Sequence, residues 1–360
     1  MAAPREVTRT PPDASRGTSN GQIFGDGPPA ANFPHVTAES FGDRLAGFVA
    51  RRQSQLVLGL DPDPADLWPH ALELAGGVGG TPTPPATAAA RAVAAHCGLV
   101  LDAVADECVA AKLQVACFER LGAPGWEALA EVVDRARAAG LLVIADAKRG
   151  DVDVSARAYA QAFLGETPSP FGPIPGLGVD AMTVSPWLGR DSLAPFVTAA
   201  RESGAGLFVL VRNSNPGAAE LQDRALAGGL DAGADGGAGG SVSDAAARMV
   251  AELGADGVGD SGLADVGAVI GATAPHHLHR LRELMPHAVF LLPGVGAQGG
   301  RIDDLAPVFS TSMGTGAGIV AVSRGIVHAG RMTGGGAAEA ARREAARLRE
   351  QTWALVPSAR

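Results

Sequence analysis

The sequence predicts an α/β fold, a parallel (β/α)8 barrel, from three observations. Eight short apolar runs occur, they alternate along the chain with segments of helical periodicity, and their apolar residues are continuous. Continuous apolar runs are typical of strands buried on both faces, as in parallel sheets. An open doubly wound sheet shares this pattern and stays as the alternative, but in both folds ligands bind at the carboxyl ends of the strands.

The eight predicted strands are separated by helical segments. The strands are predicted at 55–60, 111–117, 141–145, 179–184, 206–211, 264–270, 289–292 and 319–322, and the helices at 92–110, 125–139, 151–164, 191–203, 243–253, 275–285 and 336–352. Gly140, Gly204 and Gly254 follow three of these helices, where glycine commonly caps a C-terminus.

Residues 39–355 are predicted to form one barrel domain, preceded by a flexible N-terminal tail over residues 1–38. The tail is rich in Pro, Ser, Thr, Gly and Asn and has no apolar period. It therefore buries too little surface to offset the entropy lost on ordering. Two stretches of similarly low complexity, near 76–88 and 227–240, are predicted to be surface insertions.

Composition limits the classes of function. The 360 residues carry a formal net charge of −9, which argues against a general nucleic-acid binder. Three cysteines without a C-x-x-C pair fit a reducing compartment. The sequence has no apolar export segment at its start and no run of about 18 uncharged apolar residues, so no membrane span is expected. We therefore expect a cytoplasmic protein that binds anionic ligands through a few placed cations.

The most informative motif is the stretch 146–151, Asp-Ala-Lys-Arg-Gly-Asp, which follows an apolar run. Because side chains alternate along a strand, Asp146 and Lys148 are predicted to share a face. Asp151 is predicted to open the next helix, whose dipole favours a carboxylate there. A lysine held between two aspartates stays protonated. Charged residues exposed to solvent at the end of a strand would also explain such a motif. The residues at the other strand ends therefore have to distinguish a functional site from a solvent-exposed rim.

Polar residues also follow most of the other predicted strands, and one lysine lies within the second predicted strand. They are Asp61, Lys112, Ser185, the run 212–217 (RNSNPG), the run 294–300 (GVGAQGG) and the run 323–325 (SRG). In a barrel all of these meet at one end, and the loops after the seventh and eighth strands are the usual phosphate site. Gln298, exposed glycine N–H groups and Arg324 there suit a phosphate dianion. The substrate is therefore predicted to carry a monophosphate.

Three further motifs have simpler explanations. The run 294–299 matches a dinucleotide fingerprint, but no acidic residue closes a strand about twenty residues later. The run 259–262, Gly-Asp-Ser-Gly, resembles a serine-nucleophile loop but lies between a helix and a strand, and we predict a plain turn. The histidines at 276, 277 and 279 have helical spacing without a carboxylate or cysteine ligand nearby in sequence, so we predict no metal site.

Taken together, these residues make the chain similar to orotidine 5′-phosphate decarboxylases, particularly their longer bacterial branch. The central resemblance is Asp146-x-Lys148-x-x-Asp151 followed by Ser155. It extends over roughly residues 40–330 through LGLDP at 58–62, Lys112 with Gln114, Phe-Glu at 118–119, SNPG at 214–217 and PGVGAQG at 293–299.

The resemblance implies a homodimeric barrel, without cofactor or metal, that converts orotidine 5′-phosphate to UMP and CO₂ in pyrimidine biosynthesis. It implies that Lys148 protonates C6 of the pyrimidine and that Asp146 lies against the substrate carboxylate. Lys112 and Asp151 would complete a Lys-Asp-Lys-Asp array, with Asp151 and Ser155 reaching into the neighbouring subunit's site. The remaining implied contacts are Asp61 with a ribose hydroxyl, Ser185 with the pyrimidine amide, and Gln298 and Arg324 with the phosphate.

Three positions depart from the family's pattern: Ser155 where Thr is usual, Asp153 where Gly is common, and Ser185 where Asn is frequent. Two other functions remain open. A metal-dependent barrel lyase, such as a hexulose-phosphate synthase or a keto-gulonate-phosphate decarboxylase, shares the Asp-x-Lys-x-x-Asp element, but Lys112 stands where an acidic ligand would help Mg²⁺. A non-catalytic phosphate-binding barrel would be expected to lack the lysine between the two aspartates.

Overall fold

The centre of the molecule is a closed barrel of parallel strands. The computed structural model describes residues 39–76, 83–226, 240–309, 315–330 and 336–356. The strands in these ranges are β1 (Leu56–Leu60), β2 (Ala110–Gln114), β3 (Leu142–Arg149), β4 (Glu166–Thr167), β5 (Ile174–Pro175), β6 (Ala181–Val184), β7 (Gly206–Arg212), β8 (Val266–Ile270), β9 (Phe290–Pro293) and β10 (Gly318–Val322). Eight of them close in the order β1-β10-β9-β8-β7-β6-β3-β2, whereas β4 and β5 form a separate antiparallel pair. Because β1 pairs with both β10 and β2, the open doubly wound alternative is wrong.

Helices connect the strands and cover the outside of the barrel. The α-helices of the described residues are Phe41–Arg52, Pro69–Ala75, Pro85–Val104, Val115–Glu119, Ala123–Ala138, Asp153–Phe163, Arg190–Ser203, Ala218–Leu221, Val242–Gly254, Leu278–Leu284, Ala306–Phe309, Arg324–Val327 and Ala337–Trp353. Single 3₁₀ turns lie at Ala105–Glu107, Ala255–Gly257, Pro275–His277, Asp303–Leu305 and Thr315–Ala317.

Two apolar layers follow from strand alternation. Side chains such as Leu58 and Val143 face the surrounding helices, whereas Val57 and Ile144, one residue away, face the barrel axis. The inner layer is closed at the amino ends of the strands by the helix Phe41–Arg52, which begins at an N-cap serine. The buried apolar residues therefore lie inside the barrel, at its amino end and around it, which leaves the carboxyl ends of the strands for polar residues.

The eight predicted barrel strands are confirmed, but several boundaries are wrong. The strand predicted to end at 145 continues to Arg149, and the helix predicted from 151 begins at Asp153. The helix predicted at 92–110 spans Pro85–Val104, so residues 85–88 are its first turn rather than part of an insertion. Gly204 caps its helix in the left-handed conformation as predicted, whereas Gly254 is the last helical residue of its own.

The helix Pro85–Val104 belongs to a long apolar segment, Pro85–Glu107. By length and composition the segment Pro85–Glu107 could cross a membrane, but 67% of its most apolar window is buried inside this fold. It packs against Ala123–Ala138 and Ala337–Trp353, as a core helix does. The predicted tail at 1–38 and most of the predicted insertions, residues 77–82 and 227–239, lie outside the described residues.

Candidate active site

A cavity of about 270 Å³ opens at the carboxyl ends of the strands. Six of the nine predicted site residues line it: Asp61, Lys112, Asp146, Lys148, Gln298 and Arg324. They come from β1, β2, β3 and the segments that follow β9 and β10, which is the convergence that a barrel imposes on its strand ends. Asp151, Ser155 and Ser185 do not line this cavity.

Asp146 is the centre of the charged residues in the cavity. Its Oδ2 accepts a hydrogen bond from Lys112 Nζ at 2.7 Å, and its Oδ1 accepts one from Lys148 Nζ at 2.5 Å. The parallel register of β2 and β3 sets Gln114 beside Asp146, and the Gln114 amide donates to Oδ2 at 3.3 Å. One buried carboxylate is thus held between two ammonium groups.

Burial and charge act in opposite directions on these groups. Burial alone would raise the pKa of Asp146, but the ammonium groups of Lys112 and Lys148 hold it well below its usual range. Burial would likewise lower the pKa of Lys112, and the carboxylates of Asp146 and Asp61 more than offset that and raise it. Asp146 and Lys112 are therefore both charged at neutral pH.

The backbone of β3 is irregular where it presents these groups. The pairing of β3 with β6 shifts register between Ala145 and Arg149, and Lys148 has a φ of +49°, in the left-handed region. A lysine there is strained by roughly 1 to 2 kcal/mol. Asp146 and Lys148 share a face as predicted, and Ala147 packs into the outer apolar layer.

The charged side chains of one chain form a linear series in the cavity. Asp61 Oδ1 lies 3.7 Å from Lys112 Nζ, so the series runs Asp61, Lys112, Asp146, Lys148. Asp146 thus lies between two lysines within one chain, as in the Lys112, Asp146 and Lys148 part of the implied Lys-Asp-Lys-Asp array, and Asp61 extends the series beyond Lys112. Asp151 instead accepts a hydrogen bond from the Val152 N–H, at 2.8 Å, and is half-buried. Asp146, two residues before Lys148, contacts its ammonium group, whereas Asp151, three residues after Lys148, does not line the cavity of its own chain.

The other two residues outside the cavity lie on the same side of the barrel. Ser155 is exposed on the first turn of Asp153–Phe163, and Ser185 is half-buried just after β6. The N–H of Ser185 donates to the Arg149 carbonyl at 2.8 Å, which continues the β3–β6 pairing. The backbone of Ser185 thus belongs to the irregular pairing of β3 with β6 beside the cavity.

Several residues of the cavity were not assigned roles from the sequence. Thr183, buried on β6, donates to Asp146 Oδ1 at 3.0 Å and accepts from the Lys148 N–H at 2.9 Å. A hydroxyl inside an otherwise apolar strand was the available signal. Ser214, Asn213 and Asn215 also line the cavity, from the polar run that follows β7.

The loop after β9 contributes Gly294, Val295, Ala297 and Gln298 to the cavity lining. Gly294, Gly296 and Gly299 have φ values of 102°, 76° and 93°, a conformation that favours glycine. Gln298 of this loop and Arg324 lie across the cavity from β3. They follow β9 and β10, which are four and three strands away from β3 around the barrel. Arg324 is exposed and is the first residue of the helix Arg324–Val327.

The motifs explained more simply have ordinary structural roles. The N–H groups of Asp260 and Ser261 donate to Asp43 at 3.1 and 2.6 Å, in a turn near the amino end of β8. His277 lies 3.3 Å from Asp223, and His279 3.5 Å from Glu283. Among the residues that the structure describes, no three His, Cys, Asp or Glu side chains are grouped so that they could hold a metal ion.

Fold and cavity define the class of protein: an α/β-barrel enzyme that acts through fixed charges at the carboxyl ends of its strands. Residues 54–340 match the model of the Orotidine 5′-phosphate decarboxylase / HUMPS family. The orotidine 5′-phosphate decarboxylase of Rhodopirellula baltica is 43% identical over 240 residues, covering 67% of this chain and 74% of that protein. The enzyme of the same name from Deinococcus radiodurans is 44% identical over 243 residues, with 67% and 79% covered.

A solved structure agrees with the sequence comparisons. The Leishmania donovani OMP decarboxylase superposes with a TM-score of 0.63 at 29% identity, covering 88% of this chain and 98% of that one. The chain belongs to the orotidine 5′-phosphate decarboxylase family, and its activity is that of this carboxy-lyase, which forms UMP and CO₂ in pyrimidine biosynthesis. The resemblance found in the sequence is thereby confirmed.

Proposed function

We propose that this chain decarboxylates orotidine 5′-phosphate through the charge series around Asp146, with Lys148 as the proton donor to C6. The observation that carries the proposal is the Lys148 ammonium, 43% exposed beside the cavity and 2.5 Å from a carboxylate that is only 9% exposed. Loss of CO₂ leaves negative charge in the plane of the ring, where the ring's own π system cannot delocalise it. A fixed ammonium stabilises that charge and then donates its proton.

Asp146 and Lys112 have supporting roles in this proposal. Asp146 lies against the substrate carboxylate and holds Lys148 in place, and Lys112 keeps Asp146 ionised. A carboxylate beside a carboxylate repels the bound substrate, and that repulsion ends when CO₂ departs. Lys112 also occupies the inner barrel face where a metal-dependent lyase would need an acidic ligand. We therefore favour a reaction without metal or cofactor.

The rest of the substrate is proposed to lie across the cavity from β3. Asp61 contacts a ribose hydroxyl, and Gln298 and Arg324 bind the phosphate with the N–H groups of the glycine loop. For the pyrimidine amide we propose Ser214 in place of Ser185, because Ser214 lines the cavity and Ser185 does not. Phosphate binding far from C6 supplies binding energy that can be used at the reacting carbon.

We further propose a homodimer in which Asp151 and Ser155 complete the partner's site. Both residues lie outside their own cavity, and exposed apolar side chains flank them: Val152 and Val154 are 50% and 72% exposed, and Trp187 is 67% exposed. A symmetric dimer contact would bury these apolar side chains and would bring Asp151 and Ser155 to the partner's cavity. We also propose that residues 39–355 form the single catalytic domain and that the enzyme is cytoplasmic, in keeping with its unpaired Cys97, Cys108 and Cys117.

The function is tested with purified protein, orotidine 5′-phosphate and EDTA. Loss of the substrate's absorbance band in EDTA is expected. If EDTA abolishes turnover and Mg²⁺ restores it, the metal-dependent lyase replaces our proposal.

Sharing of sites is tested by mixing two inactive variants, Lys148→Ala and Asp151→Asn, under conditions that exchange subunits. If Asp151 serves the partner, mixed dimers contain one intact site, and about a quarter of the wild-type activity returns. If Asp151 acts within its own chain, no activity returns.

A further inference from the structure

Arg149, within the motif of β3, connects three elements around the strained Lys148. Its guanidinium donates to the Ala147 carbonyl at 3.1 Å and forms an ion pair with Glu119, at the end of the helix after β2. The same group lies over the rings of Tyr159 and Phe163, at 5.4 and 5.6 Å from their centroids. Arg149 is mostly buried, with 21% of its side chain exposed.

These contacts enclose the strained segment from both sides. On the barrel side, the Lys148 N–H is held by Thr183, and Arg149 resumes the pairing of β3 with Val184 of β6. On the outer side, the Arg149 guanidinium joins β3 to the helix that follows Lys112's strand and to the helix Asp153–Phe163. A backbone in the left-handed region persists only when its surroundings hold it there.

We propose that Arg149 is a positioning residue for the decarboxylation, which fixes the irregular end of β3 so that the Lys148 ammonium stays against Asp146. The inference rests on the proposed role of Lys148 as proton donor. The planar guanidinium is needed because it donates a hydrogen bond to the Ala147 carbonyl, forms an ion pair with Glu119 and stacks on an aromatic ring at the same time. An ammonium group cannot make all three contacts. Glu119 acts through Arg149 by orienting that plane.

The proposal separates turnover from substrate affinity. Losing the guanidinium lets Lys148 move relative to the reacting carbon, and small displacements of a catalytic group cost up to roughly a hundredfold in rate. The proposed phosphate contacts lie on the β9 and β10 side and do not involve Arg149. We therefore expect Arg149→Met to lower kcat by about ten- to a hundredfold and to change KM little.

Three comparisons sharpen this expectation. Arg149→Lys keeps a charge for Glu119 but loses the bond to Ala147 and the stacking, so its kcat should be intermediate. The effects of Arg149→Met and Glu119→Gln should be non-additive in the double variant, because they remove one connected unit. In Arg149→Ala, millimolar guanidinium should restore part of kcat by occupying the vacated position.

Arg201→Met is the matched control. Arg201 forms a comparable ion pair with the buried Asp265, at 2.7 Å, but at the amino ends of the strands. It should lower Tm without lowering kcat of the folded enzyme, and guanidinium should not raise its kcat.

Wild-type kcat in Arg149→Met, or a kcat loss equal to that of Arg201→Met, would overturn the inference. If Arg149→Met does not fold, wild-type kcat in Arg149→Lys would do the same. The proposed function fails separately, if Lys148→Ala retains activity.

Discussion

Replacing Asp146 by Asn tests the electrostatics of the site most sharply. The amide keeps the shape of the carboxylate but leaves Lys112, only 8% exposed, and Lys148 facing each other as like charges. Attraction between Lys112 and Asp146 at 2.7 Å is about 6 kcal/mol at an effective dielectric constant near 20, before desolvation is subtracted. Removing one member of a buried pair costs about 3 to 5 kcal/mol, and Asp61, 3.7 Å from Lys112, offsets only part of that cost here.

Release of the Lys112 proton sets an upper limit to this cost. In the variant, burial would depress the pKa of Lys112 in the folded state below its unfolded value of about 10.4. The largest cost is that of releasing the Lys112 proton, which is 1.36 kcal/mol for each pH unit below 10.4, or about 4 to 5 kcal/mol at pH 7. At pH 9 the same limit is about 2 kcal/mol. The unfolded state then binds more protons than the folded state, so the variant gains stability as pH rises.

In the wild-type enzyme Lys112 should contribute no such slope between pH 7 and 9. The pKa of Lys112 is raised in the folded state by Asp146 and Asp61 despite burial, so the lysine is protonated in both states over this range. The lowered pKa of Asp146 affects stability only in acid, where its contribution is lost as pH falls below its unfolded value of 3.8.

Urea unfolding at pH 7, 8 and 9 measures both effects. Asp265→Asn is the matched control, because Asp265 is 7% exposed but pairs with Arg201, whose guanidinium keeps its charge. The stability loss should shrink with pH in Asp146→Asn and stay constant in Asp265→Asn. A loss below about 1 kcal/mol, or one that is the same at pH 7 and 9, would refute a buried, permanently charged Lys112–Asp146 pair.

Three further outcomes are expected. Arg324→Ala should raise KM for the phosphorylated substrate far more than it lowers kcat, and equal binding of phosphorylated and dephosphorylated nucleoside by the wild type would contradict a phosphate site there. Ser214→Ala should weaken nucleotide binding in calorimetry, while Ser185→Ala should not; the reverse order would return the pyrimidine contact to Ser185. Asp153→Gly should leave Tm unchanged or higher in thermal unfolding, because Asp153 has a φ of +43° and its pair with Arg157 is exposed. A fall in Tm of more than about 3 °C would show that the aspartate is needed there.

The barrel could be predicted from sequence because strand burial is periodic and local. Continuous apolar runs separated by helical patterns indicate parallel strands, and the position of all eight barrel strands followed from that signal. Boundaries failed where tertiary contacts override the pattern. The polar end of β3 continues past residue 145 because β6 supplies hydrogen-bond partners for it, including Thr183, and a single sequence does not reveal that neighbour.

The site was predictable in composition but not in connectivity. The charged motif and the strand-end rule identified Lys112, Asp146 and Lys148, and these three meet in the structure. The position of Asp151 could not be predicted from the motif alone, because the register shift and the left-handed Lys148 turn the backbone before Asp151, which does not line its own chain's cavity. The backbone also explains why glycine is frequent in the family at position 153. Asp153 of this chain has a left-handed conformation, which glycine adopts without strain.

The account depends above all on Lys148 as the proton donor. Steady-state decarboxylation of orotidine 5′-phosphate by purified Lys148→Ala, compared with wild type in EDTA, tests it most directly. Because Lys148 is 43% exposed, the variant should stay folded, and its kcat should fall by several orders of magnitude. Turnover within about tenfold of the wild-type rate by the folded variant would contradict the proposed mechanism.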